Sequence, residues 1–341
     1  MPDTVAVMPP NWLGDAVMAL RALGAVRRRY PEARLVVAAR QSVAALFGMV
    51  SGVDEVVPLD PEAGWRGEAR ALAGARAGLA VILPNSFRSA WTARAAGIPE
   101  RWGYSADCRS PLLTRRVRRP RRPLHQSDYY TGLTSALGMP APVDPPAVVV
   151  PGEAMARAAA LLAQHGVGEG ALVVGMAPGA AYGTAKQWPP ERFARVARLL
   201  AERHGIVSVL IGSGADRASG RLVAAGAAVV DLTGQTDLVL AAGLMTRCRA
   251  FVSNDSGAMH LAAAVGLPVA AVFGPTDEEG TAPRPSASAA PHEILTSGAW
   301  CRPCMLRECP FDHRCMTGVE PERVAAAVER RAGLRASSVE P

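Results

Sequence analysis

The sequence predicts an α/β protein built from two parallel-sheet halves, and three observations predict it. Short aliphatic runs alternate with longer stretches of helical period along the whole chain, the spacing that strand–helix–strand crossovers need. A proline-rich break, Pro140-Ala141-Pro142-Val143-Asp144-Pro145-Pro146, interrupts any regular element near the middle. It divides 341 residues into two spans of ordinary domain size, 1–150 and 151–330. Polar turns rich in glycine and Asn or Asp follow several of the aliphatic runs, and open parallel sheets bind ligands at such strand ends.

In the first half, Val5 to Met8 reads as a strand and leads into Pro9-Pro10-Asn11-Trp12-Leu13-Gly14-Asp15. From Ala16 to Tyr30, Val17, Leu20, Leu23 and Val26 recur at helical spacing. Asp15 then stands at the carboxyl edge of the first strand, near a helix amino terminus. As an N-cap it would be unremarkable. Facing phosphate-binding loops across a cleft, it would be placed to take a proton from a hydroxyl nucleophile. Further strands are expected at 35–39 and 79–84.

The second half opens with a helical stretch at 154–165 and a strand at 172–176. The strand leads into Pro178-Gly179-Ala180-Ala181-Tyr182-Gly183-Thr184-Ala185-Lys186-Gln187-Trp188-Pro189. Glycines let a backbone approach a ligand closely, and Lys186 supplies a point charge suited to a diphosphate. A helix with Phe193, Val196, Leu199 and Leu200 on one face follows and ends at His204-Gly205. Strands are expected at 206–212, 229–232, 250–252 and 268–273, with a helix at 237–246.

Between the last two of those strands lies Ser253-Asn254-Asp255-Ser256-Gly257-Ala258-Met259-His260-Leu261, the most informative stretch of the chain. It joins a strand end to a helix start, where unpaired N–H groups and the helix dipole favour an anion. Asp255 is suited to a polyol, and the Ser256 hydroxyl and Gly257 amide to phosphate. An N-cap alone needs only one of these residues. The last predicted helix runs from about Pro321 to Arg330, and 336–341 reads as a frayed tail.

Composition sets further bounds. Hydrophobic residues make up 49% and aromatics 5%, an aliphatic core without a run of eighteen apolar residues to span a membrane. The amino terminus has no basic segment followed by an apolar stretch, so a cytoplasmic protein is expected. Six arginines fall in the stretch 115–122 beside His125, a surface for anionic lipid head groups or an acidic saccharide. No aromatic residue interleaves that run and no nucleic-acid module accompanies it, so nucleic acid is not the expected partner. Cys301, Cys304, Cys309 and Cys315 cluster near His313. In a cytoplasmic chain such spacing suits a structural zinc or iron–sulfur site better than disulfides.

Several of these segments together resemble glycosyltransferase family 9, the ADP-heptose:lipopolysaccharide heptosyltransferases, and most of all their heptosyltransferase II branch. The resemblance is carried by the 11–15 loop, Leu83-Pro84-Asn85-Ser86-Phe87-Arg88-Ser89-Ala90, and Gly97-Ile98-Pro99 with Gly103-Tyr104. His125-Gln126 with Tyr129-Tyr130, the 178–189 and 253–261 loops and the 301–315 cysteine segment complete it, in the family's order over most of the chain. It implies a GT-B fold, two Rossmann-like domains with parallel sheets facing a central cleft. It also implies inverting transfer of heptose from ADP-heptose to the inner core of lipopolysaccharide, onto the first heptose.

On that resemblance, residues 1–150 form the acceptor-binding domain and 151–330 the donor-binding domain. Thr184, Lys186, Asp255, Ser256, Gly257 and His260 would hold the donor, Asn85, Ser86, Arg88 and His125 the acceptor, and Asp15 would be the base. No Asp-x-Asp occurs in the chain, so Lys186 and a helix amino terminus would stabilise the leaving diphosphate and transfer would need no cofactor. The partners implied are ADP-heptose, an anionic lipopolysaccharide acceptor and the inner-leaflet surface, where the enzyme would be peripheral. Two other classes stand beside this reading: a nucleotide-sugar epimerase of GT-B fold, and a non-catalytic nucleic-acid-binding protein with a metal-bound cysteine cluster. The first lacks an assignable set of extra acidic and histidine groups, and the second leaves both phosphate loops and Asp15 unexplained.

Overall fold

A computed structural model describes residues 2–284 and 291–334; the predicted tail at 336–341 lies outside the described residues. The chain forms two compact units that divide after Val149. In the first, β1 (Thr4–Met8), β2 (Arg34–Arg40), β3 (Glu55–Leu59), β4 (Leu79–Ile82), β5 (Glu100–Ser105) and β6 (Arg115–Arg118) form one sheet in the order β3-β2-β1-β4-β5-β6. In the second, β7 (Val173–Ala177), β8 (Val207–Leu210), β9 (Val230–Asp231), β10 (Ala250–Asn254), β11 (Val269–Phe273) and β12 (Glu293–Thr296) take the order β12-β11-β10-β7-β8-β9. All named pairings in both sheets are parallel.

The two sheets share one winding. The first strand of each unit lies inside the sheet, the next two add on one side, and the following three add on the other. Connections therefore leave in opposite directions from the neighbours β1 and β4, and again from β7 and β10. Crossovers that diverge leave a crevice at the carboxyl ends of such a strand pair, the ligand position of doubly wound sheets.

The strands expected from the sequence are the inner ones. Val5, Ala6 and Val7 are at most 1% exposed, as are Val269 through Phe273, because helices cover both faces. Such strands read as unbroken aliphatic runs. β3, β5, β6 and β12 carry charged or polar residues and were not expected. Three of these four are edge strands, needing burial on fewer sides. Pro58 is tolerated in β3 because an edge strand can spare a donor. The arginine run turns out to hold the edge strand β6, with Arg115 stacked 4.9 Å over the Trp102 ring of β5. Charge along an edge also discourages pairing with another chain.

One predicted helix differs from expectation, and the one after the Lys186 loop has the expected end. The segment predicted from Ala16 to Tyr30 begins earlier and breaks at Ala19, giving Leu13–Met18 and Leu20–Arg29. The helix Pro190–His204 starts on Pro190 and stops at Gly205, whose φ of 63° is left-handed. Its buried Phe193 meets the fully buried Trp188 edge to face at 5.1 Å. The same core takes in Cys315, Met316 and Val324, so the last helix, Pro321–Arg331, closes the second unit. Among the described residues no helix is long and apolar enough to cross a membrane.

Candidate functional site

The two phosphate-type loops of the second unit leave β7 and β10, the pair flanking its switch point. Asn254, wholly buried, ties them together. Its amide nitrogen donates to the carbonyls of Pro178 (2.9 Å) and Gly179 (3.2 Å), and its oxygen accepts from the Trp188 amide at 3.1 Å. Ser253 Oγ donates to the Asn254 carbonyl at 2.8 Å and lies 3.0 Å from Ser256 Oγ. The run Ser-Asn-Asp-Ser is thus a set of separate tasks, two of them structural.

Asp255 projects from this brace. Its Oδ2 accepts from Lys186 Nζ at 2.6 Å and from Thr276 Oγ1 at 2.7 Å, with the side chains of Lys186 and Asp255 only 13% and 7% exposed. A lysine has three donors, so the ammonium keeps hydrogens for an anion after the aspartate has taken one. Nζ also lies 4.8 Å over the Tyr182 ring. Thr276 escaped the sequence reading, although Gly274-Pro275-Thr276 has the turn chemistry of a strand end.

Neither Asp255 nor Ser256 caps the helix Gly257–Ala264. Ser256 stands at the N-cap position with extended backbone, but its side chain makes no capping hydrogen bond. The first N–H groups of that helix, beginning with Gly257, therefore have no side-chain cap. His260 is buried one turn further in, at 4% exposed. Thr184 is exposed in the short 3-10 turn Thr184–Lys186.

The cysteine segment is the wall behind the Lys186 loop. Ala185 N donates to the Arg307 carbonyl at 3.0 Å, Tyr182 OH donates to the Met305 carbonyl at 3.3 Å, and the Arg307 guanidinium lies 5.0 Å over the Tyr182 ring. Gly183 has to be glycine here, because a Cβ would run into the backbone of Arg307. Met305 N in turn donates to the Pro275 carbonyl at 2.8 Å, next to Thr276. Cys301, Cys304, Cys309 and Cys315 line one cavity with Leu306 and Phe311. The metal expectation finds no support: among the described residues no group of three or more His, Cys, Asp or Glu is disposed to hold an ion. The four thiols share that cavity wall with apolar side chains. Burial and, after it, the neighbouring cysteines push the Cys315 thiol up.

In the first unit the 11–15 and 84–86 loops leave β1 and β4, again the switch-point pair. Asp15 is the third residue of the helix Leu13–Met18, whose N-cap position belongs to Trp12, so capping is not its role. Its Oδ1 accepts from Tyr130 OH at 3.3 Å, and that hydroxyl accepts from Gln126 Nε2 at 2.7 Å. Burial, and then the Asp15 charge, raise the Tyr130 hydroxyl far above the usual phenol range, so it remains a donor.

The acceptor candidates divide by what already holds them. Asn85 exchanges hydrogen bonds with Tyr129 OH (2.8 and 3.0 Å). Ser86 caps the helix Phe87–Ala95, accepting from Ser89 N at 3.3 Å, and His125 caps Gln126–Ala136 by accepting from Ser127 N on Nδ1 at 3.1 Å. Arg88 is bound through two nitrogens to Glu68 (2.9 and 3.1 Å), a carboxylate whose side chain is 6% exposed. Beneath the loop lies Arg109, fully buried, donating to the Pro84 carbonyl and to Ser89 Oγ (3.2 Å). Burial pulls its guanidinium down to about 10. Glu68 and Arg109 sit outside any motif, and only their distant partners reveal them.

Comparison with known proteins bears on the family and the fold. Residues 65–314 match the family model of glycosyltransferase family 9 (heptosyltransferase). Lipooligosaccharide heptosyltransferase 2 of Haemophilus ducreyi is 32% identical over 302 residues, which covers 82% of this chain and 85% of that one. Lipopolysaccharide heptosyltransferase 2 of Escherichia coli K12 is 31% identical over 299 residues, with the same coverage of 82% and 85%. The solved structure of E. coli ADP-heptose lps heptosyltransferase II superposes with a TM-score of 0.81 at 28% identity, covering 96% of this chain and 98% of that one.

Proposed function

From the premise that the chain belongs to glycosyltransferase family 9, and so is a glycosyltransferase of GT-B fold, we propose that it moves a heptosyl group from ADP-heptose to a heptose hydroxyl of the lipopolysaccharide inner core. Transfer proceeds with inversion and without a metal ion. The Lys186–Asp255–Thr276 cluster at a sheet switch point is the observation that carries this reading. It sets a lysine for diphosphate beside a carboxylate for sugar hydroxyls, and the relatives named above are heptosyltransferases. No Asp-x-Asp is present to hold a metal–diphosphate complex.

The second unit binds the donor. Lys186, Thr184, Ser256 and the first amides from Gly257 take the diphosphate, Asp255 takes heptose hydroxyls, and His260 supports the helix that presents those amides. The first unit binds the acceptor through Asn85, Ser86, Arg88 and His125. Asp15 takes the proton of the acceptor hydroxyl as its oxygen bonds to the anomeric carbon. The bond from that carbon to the diphosphate breaks on the opposite face, and ADP leaves with the electron pair. Lys186 and the helix amides offset the charge that develops on it. The enzyme works in the cytoplasm, and the arginines of 115–122 hold it peripherally at the inner leaflet, beside its acceptor.

Incubating the purified protein with ADP-heptose and a heptose-bearing inner-core acceptor, with and without excess EDTA, tests the proposal. Equal ADP release and heptosylated acceptor under both conditions, with the anomeric centre inverted by NMR, is the expected result. Isomerised nucleotide sugar without an acceptor would point to an epimerase. Activity restored by magnesium alone would contradict the leaving-group assignment.

A further inference from the structure

The helices Gly64–Gly74 and Phe87–Ala95 pack side by side against the first sheet, and the second of them is amphipathic in the reverse of the usual sense. Its buried residues are Ser89, Ala90, Thr92 and Ala93, all small. Its largest apolar side chains, Phe87 and Trp91, face outward at 47% and 36% exposed. From the neighbouring helix Trp65, 38% exposed, meets Trp91 edge to face at 5.7 Å, and Phe87 stacks on Trp91 at 6.2 Å. These rings form one continuous patch on a face where a helix bordering water carries polar groups. Clustered exposed apolar side chains with a polar rim mark an interaction surface.

The rim is positive. Arg66, Arg70 and Arg94 are exposed on the same two helices and make no ion pair with any described residue, and the Arg66 guanidinium lies 4.9 Å over the Trp65 ring. Glu68, the acidic residue of these helices, is buried and bound by Arg88, while Asp60 and Glu62 belong to the loop ahead of them. Pairing two copies of the chain through this face would set arginines against arginines, a contact that costs free energy. A bilayer has the complementary chemistry. Tryptophan settles at the head-group level, where its ring meets the acyl boundary, and arginine pairs with lipid phosphate.

We propose that this aromatic face docks the protein on an anionic phospholipid bilayer, with Trp65, Phe87 and Trp91 entering the head-group region and Arg66, Arg70 and Arg94 meeting lipid phosphates. The proposal rests on the peripheral placement given above and supplies a surface for it. Arginines alone, such as those of 115–122, hold by charge and let go as salt screens them. Rings removed from water add a contact that salt does not screen.

Flotation with equimolar phosphatidylcholine–phosphatidylglycerol vesicles, and with phosphatidylcholine alone, tests it. Wild type should float with the mixed vesicles and keep part of that binding at high salt. Trp65→Ala with Trp91→Ala should bind them about tenfold or more weakly and lose the salt-resistant part. Replacing Arg66, Arg70 and Arg94 together by Gln should weaken binding at low salt by about a hundredfold, at about fivefold for each charge. Quenching of tryptophan fluorescence by brominated lipid in the same vesicles gives a second readout. Trp65→Phe with Trp91→Phe keeps the aromatic packing, so this variant should still float but lose most of the quenching seen in wild type. No flotation of wild type, equal flotation of the alanine variant, or quenching that persists in the phenylalanine variant overturns the proposal. So does a wild-type dimer that the alanine variant splits, since a second copy would then cover the patch. Transfer to a short water-soluble acceptor should be unchanged in the alanine variant. Vesicle docking without any transfer would count against the transfer reading alone.

Discussion

Lys186 Nζ lies 2.6 Å from Asp255 Oδ2, joining the loops after β7 and β10 across the switch point of the second sheet. The pair is mostly shielded from water, and Thr276 Oγ1 completes the carboxylate's environment at 2.7 Å. Each partner fixes the other's rotamer before a ligand arrives. The lysine is therefore pre-aimed, and the entropy of ordering it is spent in folding rather than in binding.

Lys186→Ala should weaken ADP binding about ten- to a hundredfold, the usual loss for a charged hydrogen bond to a ligand. It should also lower the melting temperature, because Asp255 is left buried without its cation. Thr276→Val should preserve the fold and cost about three- to tenfold in kcat/KM, by freeing one side of the carboxylate. Calorimetric ADP titration and thermal melts read both. Unchanged ADP affinity in a folded Lys186→Ala protein would remove the lysine from the site.

Asp15→Asn should retain thermal stability and ADP affinity, since Trp12 and not Asp15 occupies the N-cap position. Turnover should fall about 10²–10⁴-fold, as for loss of a general base. Tyr130→Phe keeps the ring in its pocket and removes the donor to Asp15 Oδ1, so it should slow turnover without altering donor affinity. Near-normal rates in Asp15→Asn would leave the nucleophile to another group.

Gly183→Ala tests the wall behind the phosphate loop. The new methyl would meet the Arg307 backbone, which has no rotamer by which to move away. Forcing it in should cost about 1–3 kcal/mol of stability and weaken ADP binding together. The half-buried Cys304, by contrast, should be replaceable: Cys304→Ser should keep the protein's ADP affinity, measured under reducing conditions.

His292 sets an acid limit on stability. Burial first, then the Arg331 charge, pull its ring down to about 4. The unfolded chain, with an ordinary histidine near 6.5, binds the proton more readily. The stabilising effect is thus complete above about 6.5 and is lost as pH falls toward 4. For a half-buried ring this amounts to about 1–2 kcal/mol after allowance for screening. Urea midpoints between pH 7 and 4 should fall, and His292→Gln should flatten that slope.

The inner strands were legible because burial on both faces writes an aliphatic run into the chain, as in Val5–Met8 and Val269–Phe273. β5 and β6 were not, since Glu100–Ser105 and Arg115–Arg118 look like polar loops until a neighbour supplies the pairing. Asp15, Lys186 and Asp255 stood out by turn chemistry at strand ends; Thr276 shares that chemistry and was passed over, whereas Glu68 belongs to no local pattern.

By itself the sequence determined two α/β halves, the break between them and the loops that leave β1, β4, β7 and β10. Those properties depend on periodicity and turn residues within about ten positions. Only the tertiary structure decided that these four strands flank the switch points, because strand order is a matter of crossover direction and leaves no local trace. It likewise decided the partners. Lys186 meets Asp255 over 69 positions, Tyr130 meets Asp15 over 115, and Arg88 meets Glu68 over 20. A charged side chain's need for a partner is visible in one residue, but which partner it finds is set by the packing of distant segments. That packing is what pairs Arg88 with the buried Glu68.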